Sequence, residues 1–382
     1  MVAQGAADAA EPAPSTSPRR RRLLLAAALA VALVAAVGIV LARRGPGPVE
    51  VVEEFFAAIR ARDVERALSY VGRRGSGVPY GEAAAFLHPD AIADGWWLRE
   101  VRAGGTNLAG DLRMRVSIED ERGHAEGFIE VSDSGGEWKL VSPFVTVGFG
   151  PNPFSYLQVN DRVLTDQQRS DPQLIDRRPV HYQLLPGRYR FFGELAGSAT
   201  EPGPAQLLLP TPAPRLGTED AVPVTVPPLR FPEPTQAAAQ RRLNELLDDC
   251  TTFAVREPPG CPFAAASSLE YDGGWVDSFH DISWRVVRYP EVRLIDPGGA
   301  ERGPGLLVEV ADPGVIRFAA TGLDERGALV EVDVDCEITG EYLRATLGPD
   351  GTPEVAVVGL IETGFSAVFE HPPGNTCEGG DA

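Results

Sequence analysis

The chain has 382 residues, and its 54 acidic residues outnumber its 35 basic residues, so its formal net charge is −19 at pH 7. A protein that acidic repels phosphate backbones, which argues against a nucleic-acid partner. The length is that of two or three domains. Lys139 is the single lysine, and this preference for arginine, together with 41 glycines and 34 prolines, indicates a GC-rich genome such as that of a high-GC Gram-positive bacterium.

An uncharged apolar segment, Leu23–Ala42, lies near the N-terminus. A helix of these twenty residues is about 30 Å long, which matches the hydrocarbon core of a bilayer. Arginines flank both ends, four before and two after, and the positive-inside rule keeps the more basic flank in the cytoplasm. The pattern predicts a single-pass cell-membrane protein held by Leu23–Ala42, with a disordered cytoplasmic stub at 1–22 and extracytoplasmic domains. A cleaved signal peptide is the alternative, but the apolar run is long, no A-x-A site follows it, and Arg43 and Arg44 close it.

Residues 43–150 begin with predicted helices. Apolar residues recur at helical spacing over 49–59, with charges between them. Asp63 is a good N-cap for a second helix, Val64–Val71, and a third short helix is predicted over Glu82–Leu87. These segments predict a helical start to the first external domain.

From Trp96 onward the hydrophobic period changes to two. Apolar residues from Leu112 to Ile118 alternate with polar residues, as in a half-buried strand. Gly123 marks a turn before a return strand over Gly127–Ser132, and a further strand is predicted at 137–141. The pattern predicts an antiparallel meander.

This order of helices and strands resembles the NTF2-like superfamily, and in particular the small NTF2-like domains just outside the membrane in bacterial envelope proteins. The matching residues are VVEEFFAAIRARDVERALSYV at 51–71 and GEWKLV at 136–141. The resemblance implies a cone in which a curved antiparallel sheet wraps around helices. It also implies a proton-transferring Asp, sometimes with a His, inside the cone. Here Asp90, Asp94 or His124 would be the candidates, but no pair among them has a spacing that marks it as catalytic.

Residues 151–232 are rich in proline and glycine and predict a small β-rich module. A Pro-Gly turn at 186–187 is similar to that of small bacterial β-sandwich modules, and an irregular β-domain is the other interpretation. Residues 197–220 are predicted to form a long exposed loop. The predicted strands are Tyr156–Val159, Tyr182–Leu185 and Ala221–Val226.

Residues 233–382 predict a third domain that opens with a helix over Thr235–Asp249. Leu243, Leu247 and Cys250 share one stripe of this helix, so Cys250 is expected to be buried. A helix followed by an antiparallel meander predicts the α+β class, which we expect for the whole chain. The strands predicted here are Ile282–Arg288, Val292–Ile295, Leu306–Val310, Leu329–Ile338 and Val355–Ile361.

All four cysteines lie in this last domain, and an even number of them in an oxidising compartment indicates disulfides. We favour Cys250 with Cys261, close in sequence around a Pro-Pro-Gly turn, and Cys336 with Cys377. A metal site is the alternative, but the sequence has no C-x-x-C and no histidine near any cysteine.

An acidic ladder is predicted on the strand over 329–338, where Glu331, Asp333, Asp335 and Glu337 alternate with apolar residues. A cation site is one interpretation, although calcium usually needs ligands supplied by a wrapped loop. A solvated outer face that discourages edge-to-edge pairing is the favoured interpretation.

No catalytic constellation is evident. The sequence has no G-x-S-x-G, no P-loop and no H-E-x-x-H. It therefore predicts no catalytic residue, no cofactor and no metal. Trp138 and Trp284 are expected to pack in the core rather than line a pocket. The histidines are scattered over separate segments: His88, His124, His181, His280 and His371.

The leading functional hypothesis is a non-catalytic, membrane-anchored, extracytoplasmic binding or interaction protein of the cell envelope. Its expected partner is an envelope protein, a cell-wall component or a small molecule. One alternative is an extracytoplasmic isomerase or hydrolase that uses the NTF2-like cone as its pocket. Another is a structural component of an envelope or secretion complex. A buried Asp–His pair in a closed pocket would favour the enzyme, and an open concave surface would favour binding.

Overall fold

The computed structural model describes residues 46–73, 77–150, 152–165, 180–210, 221–272, 274–298, 305–340, 343–357 and 376–377. Strands hold 47% of these residues and helices 16%. The fold is therefore mostly β, with several antiparallel sheets, and the predicted α+β class is wrong.

The N-terminal unit packs two helices against a four-stranded antiparallel sheet. The helices are α1 (Pro48–Arg60) and α2 (Val64–Ser69), and the side chain of Asp63 caps α2 by accepting the Arg66 N–H at 3.0 Å, as predicted. The predicted third helix is only a short 3₁₀ turn, Gly81–Ala84. The strands run in sequence order: β1 (Trp96–Thr106), β2 (Leu112–Asp120), β3 (His124–Asp133) and β4 (Trp138–Val141).

This unit has a hydrophobic core between its helices and its sheet. Phe55 and Phe56 of α1 are fully buried and belong to the same hydrophobic cluster as Met114 and Ile118 from β2. The alternation predicted for β2 holds at Met114, Val116 and Ile118, which are buried, but Leu112 is half-buried and Ser117 is buried as well. Helical and two-residue periods thus place the apolar residues as the sequence indicates.

The predicted NTF2-like cone over 43–150 is wrong. The chain leaves the sheet after β4, and β5 (Val145–Phe149) pairs instead with two strands from later in the chain. Those partners are β8 (Val180–Leu184), antiparallel, and β11 (Val222–Val224), parallel. The sequence predicted strands over Tyr182–Leu185 and Ala221–Val226 but none over 145–149, and local periodicity carries no information on which distant strand each one joins.

The predicted single-pass membrane topology is also corrected. Leu23–Ala42 lies outside the described residues, and within those residues no helix is long and apolar enough to cross a membrane. The longest described helix, α3 (Glu233–Cys250), has 18 residues and carries charges such as Arg241 and Asp248 along its length. The predicted membrane anchor and the predicted cell-membrane location are therefore not supported by the described residues.

The middle of the chain contributes short strands around an aromatic core. A hairpin joins β6 (Tyr156–Val159) to β7 (Arg162–Thr165), and β9 (Gly187–Tyr189) pairs with β10 (Gln206–Leu208). The last pairing corrects the predicted loop over 197–220, of which 211–220 lies outside the described residues. The aromatic core contains Phe86, Phe149, Phe154, Tyr156, Tyr182, Tyr189 and Phe192.

The C-terminal part packs α3 with two four-stranded sheets, and one hydrophobic cluster joins it to the middle strands. The first sheet has the order β13 (Ser268–Tyr271), β14 (Gly274–Arg288), β17 (Gly314–Asp324) and β18 (Leu329–Ile338). The second has the order β15 (Glu291–Ile295), β16 (Leu306–Asp312), β19 (Leu343–Leu347) and β20 (Pro353–Val357). A short parallel pair is formed by β12 (Ala264–Ala265) and β21 (Thr376–Cys377).

Two disulfides close this part of the fold. Cys250 bonds Cys261 with Cα atoms 5.8 Å apart, and Cys336 bonds Cys377 with Cα atoms 5.0 Å apart. Both are the pairings that the sequence favours, and Cys250 is buried on α3 as expected. The domain boundaries that the sequence places at residues 150 and 232 remain predictions.

Candidate functional site

A cleft of about 560 Å³ lies where the N-terminal unit meets the middle strands. Residues 62, 93 and 94 form one side, and the β6–β7 hairpin and the segment around β9 form the other. Its polar and charged lining residues are Arg62, Asp94, Tyr156, Gln158, Asn160, Asp161, Arg188, Arg190 and Glu194.

Asn160, in the turn of the β6–β7 hairpin, fixes the floor of this cleft. Its side-chain oxygen accepts the Arg190 N–H at 2.8 Å, and its amide donates to the carbonyls of Ala91 at 2.8 Å and Arg188 at 3.1 Å. Its own N–H donates to the Arg190 carbonyl at 2.8 Å. Asn160 adopts a φ of 50°, a conformation that asparagine tolerates better than most residues. One side chain therefore holds three segments of the cleft together.

Two of the three cleft arginines have carboxylate partners within the protein. Arg62 Nη2 lies 2.9 Å from Asp94 Oδ2. Arg188 Nε lies 3.3 Å from Asp120 Oδ2, and its Nη1 donates to the Asp94 carbonyl at 3.4 Å. The Arg188 Nε contact is an ion pair without hydrogen-bond geometry. The charges of Arg62 and Arg188 are thus compensated without a ligand.

Arg190 differs from these two. Its side chain is half-buried and lines the cleft, and its buried Nε has no hydrogen-bond partner in the described part of the chain. No described carboxylate forms an ion pair with it either. A guanidinium cannot lose its proton near neutral pH, so it cannot avoid the cost of burial by becoming neutral. An anion in the cleft would supply the guanidinium with a counter-charge.

Unpaired Nε atoms also occur at Arg113 and Arg162, but neither residue lines the cleft. Arg113 reaches the Glu130 carboxylate at 3.3 Å through its Nη2, and its guanidinium lies over the Phe128 ring. Among the described arginines of the cleft, Arg190 is therefore the one that lacks a counter-charge.

The cleft also carries acidic groups. Asp161 and Glu194 are exposed at its rim, and neither forms an ion pair with a described residue. The Tyr156 hydroxyl donates to the Glu194 carbonyl oxygen at 3.4 Å. Burial raises the pKa of Tyr156 to about 12, so this hydroxyl stays neutral at physiological pH. The cleft thus presents charges of both signs beside a neutral hydroxyl.

The candidates for proton transfer are not gathered into one pocket. Asp94 lines the cleft, but its side chain is 78% exposed and is paired with Arg62. Asp90 lies 3.3 Å from His88, and both side chains are exposed. His124 is exposed at the start of β3, as expected.

The other histidines lie apart. His181 is half-buried in β8, and its Nδ1 has no partner among the described residues. His280 is exposed on β14, and His371 lies outside the described residues. Of the tryptophans expected in the core, Trp284 is buried and Trp138 is half-buried.

The acidic ladder of β18 alternates as predicted. Its four carboxylates are exposed while Val332, Val334 and Cys336 are buried. Arg317 on the neighbouring strand contacts Asp335 through two hydrogen bonds of 2.6 and 2.7 Å and lies 3.2 Å from Asp333. These contacts hold the pKa of Asp335 below its usual range. Within the described residues no cluster of three His, Cys, Asp or Glu side chains could hold a metal.

Sequence reasoning missed Asn160, Arg188 and Arg190. A usable signal was present in the R-Y-R pattern at 188–190, because alternate residues of a strand point to the same face. Tyr189 is buried in the aromatic core, so the two arginines face the other way, toward the cleft. Nothing local in the sequence indicated that Asn160 would meet them.

Comparisons with known proteins return no relative: no family model matches the chain, and neither a curated protein nor a solved structure does. The resemblance to the NTF2-like superfamily and the inferred bacterial source have no support from these comparisons.

Proposed function

We propose that this chain is a non-catalytic binding protein that holds a small carboxylate ligand in the cleft. The observation that carries the proposal is Arg190, a half-buried residue of the cleft whose guanidinium has no counter-charge in the described part of the chain. A planar guanidinium matches a carboxylate through two parallel hydrogen bonds, and such charge-assisted bonds are stronger than neutral ones.

The size and construction of the cleft support this function. Small-molecule sites have volumes of about 300–1,000 Å³, and the cleft lies within that range. Asn160 fixes the backbone on both sides of the arginines through its hydrogen bonds. Pre-formed geometry reduces the entropy lost on binding, so less of the interaction energy is spent on ordering the site.

The surrounding charges favour a singly charged anion. Asp161 and Glu194 line the same cleft, and both would repel a dianion such as phosphate more strongly than a carboxylate. The enzyme alternative required the NTF2-like cone as its pocket, and that cone is absent from the described fold. We therefore propose a binding function and no enzymatic one.

Thermal unfolding in the presence of monocarboxylates tests the proposal. The probes are acetate, propionate, L-lactate and the L-amino acids other than aspartate and glutamate, each compared with chloride at equal sodium concentration. The proteins are the wild type, Arg190→Gln and the matched control Arg241→Gln, which removes an exposed, unpaired charge on α3. Ligand that binds only the folded state raises the Tm.

We expect at least one probe to raise the Tm of the wild type and of Arg241→Gln, and to leave that of Arg190→Gln unchanged. Far-UV circular dichroism establishes that Arg190→Gln is folded. Equal increases in all three proteins, or no increase in the wild type with any probe, would refute the proposal.

A further inference from the structure

The charges of the cleft that lack partners have both signs. Arg62 forms an ion pair with Asp94, and Arg188 forms one with Asp120. One cation, Arg190, and two anions, Asp161 and Glu194, then remain without an ion-pair partner among the described residues.

We propose that the ligand is a zwitterion, either a free α-amino acid or a short peptide. Its carboxylate pairs with Arg190, and its ammonium group is held by Asp161 and Glu194. The proposal rests on the proposed binding function and adds the second charge of the ligand. It assigns a cation-binding role to two cleft carboxylates that would otherwise repel any anion there.

Ligands with one type of charge fit this lining less well. A simple carboxylate satisfies Arg190 but leaves two carboxylates uncompensated in a chain whose formal charge is −19. A polyamine satisfies the carboxylates but leaves Arg190, which is half-buried, without an anion, which is costly. A zwitterion pairs with both, and its two charges lie only a few bonds apart.

The backbone holds the two sides of the site in a fixed relation. Asp161 follows Asn160 directly, and Asn160 bonds the backbone of Arg190 in both directions. Glu194 lies four residues after Arg190, and the segment between them pairs with β6 through Phe192 N–H and the Gln158 carbonyl at 3.2 Å. The cationic and anionic groups are therefore presented by one hydrogen-bonded framework.

Gly193 leaves room for a ligand beside these groups. A Cβ at this position would lie 3.7 Å from Gln158 Nε2 and 3.8 Å from Arg190 Cδ, which are ordinary contact distances. Among the described residues other than its two chain neighbours, no backbone atom lies within 4 Å of that position. A side chain at residue 193 would thus begin beside Gln158 and Arg190, two lining residues of the cleft. Gly193→Leu is therefore a variant that occupies the cleft while retaining every charge.

The experiment is isothermal titration calorimetry with the L-amino acid that gives the largest increase in Tm, or with L-alanyl-L-alanine if no single amino acid does. Two derivatives of the same probe are titrated beside it. The N-acetyl derivative keeps the carboxylate and lacks the ammonium group, and the amide keeps the ammonium group and lacks the carboxylate.

We expect each derivative to bind the wild type at least tenfold more weakly than the parent. Asp161→Asn with Glu194→Gln should abolish the preference over the N-acetyl derivative, and Arg190→Gln should abolish the preference over the amide. Glu270→Gln with Glu354→Gln removes two exposed carboxylates outside the cleft and should change neither preference. Gly193→Leu should weaken binding of the parent at least tenfold while the circular dichroism spectrum is retained.

Failure of this inference is distinguishable from failure of the proposed function. Equal affinity for the parent and its N-acetyl derivative, with dependence on Arg190 intact, would overturn the zwitterion and leave the carboxylate site standing. Absence of any Arg190-dependent binding would overturn both.

Discussion

The side-chain oxygen of Asn160 accepts the backbone N–H of Arg190 at 2.8 Å, and the Arg190 carbonyl accepts the backbone N–H of Asn160 at the same distance. The hairpin turn and the segment after β9 are therefore joined by a two-way contact at the base of the cleft. The position of the guanidinium that we assign to ligand binding depends on this contact. The hydrogen bonds of the Asn160 side chain consequently determine the shape of the cleft.

Replacing Asn160 with alanine should destabilise the fold and weaken ligand binding together. The change removes three side-chain hydrogen bonds and leaves partly buried backbone groups without partners, which costs about 1–3 kcal/mol for each group left unsatisfied. We expect a free energy of unfolding lower by at least about 2 kcal/mol in urea denaturation. Asn160→Gly is the matched variant, because it loses the same bonds but adopts the φ of 50° freely. Two variants as stable as the wild type would show that these bonds do not hold the cleft.

Gln236 and Gln240 of α3 should protect the edge of a sheet against which this helix packs. Gln236 Oε1 accepts the Leu294 N–H at 2.8 Å, and Gln240 Oε1 accepts the Val292 N–H at 3.0 Å. These N–H groups belong to β15, an edge strand, and unpaired edges promote association between chains.

Changing both glutamines to methionine should lower the free energy of unfolding by about 2–4 kcal/mol, since two N–H groups lose their acceptors. Analytical ultracentrifugation should also show concentration-dependent association. The control, Arg241→Met with Glu245→Met, alters exposed positions of the same helix and should stay near the wild type. A double glutamine variant with wild-type stability and no association would contradict this role.

The two disulfides should differ in their contribution to stability. Cys250–Cys261 spans 11 residues, and Cys336–Cys377 spans 41. Loop-closure entropy gives about 3 kcal/mol for the shorter and about 4 kcal/mol for the longer. Pairwise replacement of cysteines by alanine, followed by urea denaturation, should therefore cost about 1 kcal/mol more at Cys336 and Cys377. The reverse order would show that native packing, rather than the unfolded chain, sets the difference.

Tyr156 should make the fold sensitive to alkaline pH. Its folded-state pKa is raised to about 12 from the ordinary value of 10 because the hydroxyl is desolvated. The unfolded chain therefore releases this proton first, so the stabilisation is complete below pH 10 and is lost as the pH rises through about 12. Tyr156→Phe should lose stability less steeply across this window in urea denaturation at successive pH values. Identical slopes for the two proteins would exclude a contribution from Tyr156.

Local patterns in the sequence predicted several elements well. The strand Leu329–Ile338 has the predicted bounds, and its carboxylates alternate with buried valines because a strand has a period of two. The helical stripe that buries Leu243 and Cys250 follows in the same way from the period of α3. Both disulfides could be predicted because few pairings are available to four cysteines.

The cleft could not be predicted in this manner, because it depends on contacts between distant parts of the chain. Asn160 bonds the carbonyl of Ala91, which lies 69 positions earlier, and Arg188 pairs with Asp120 on another sheet. Strand β5 likewise joins strands from later in the chain instead of continuing the N-terminal meander. The sequence period indicates on which face of a strand or helix a residue lies, but it does not indicate which distant segment packs against that face.

The side-chain Nε–H resonance of Arg190 gives the most direct measurement of ligand binding in the cleft. In protein labelled with ¹⁵N-arginine, this resonance is assigned by its disappearance in Arg190→Gln, and that of Arg241 serves as the internal reference. On titration with the monocarboxylate that most stabilises the protein, we expect the Arg190 resonance to shift to saturation while the Arg241 resonance stays in place. An Arg190 resonance that does not move, or that moves only in parallel with that of Arg241, would contradict a carboxylate site in this cleft.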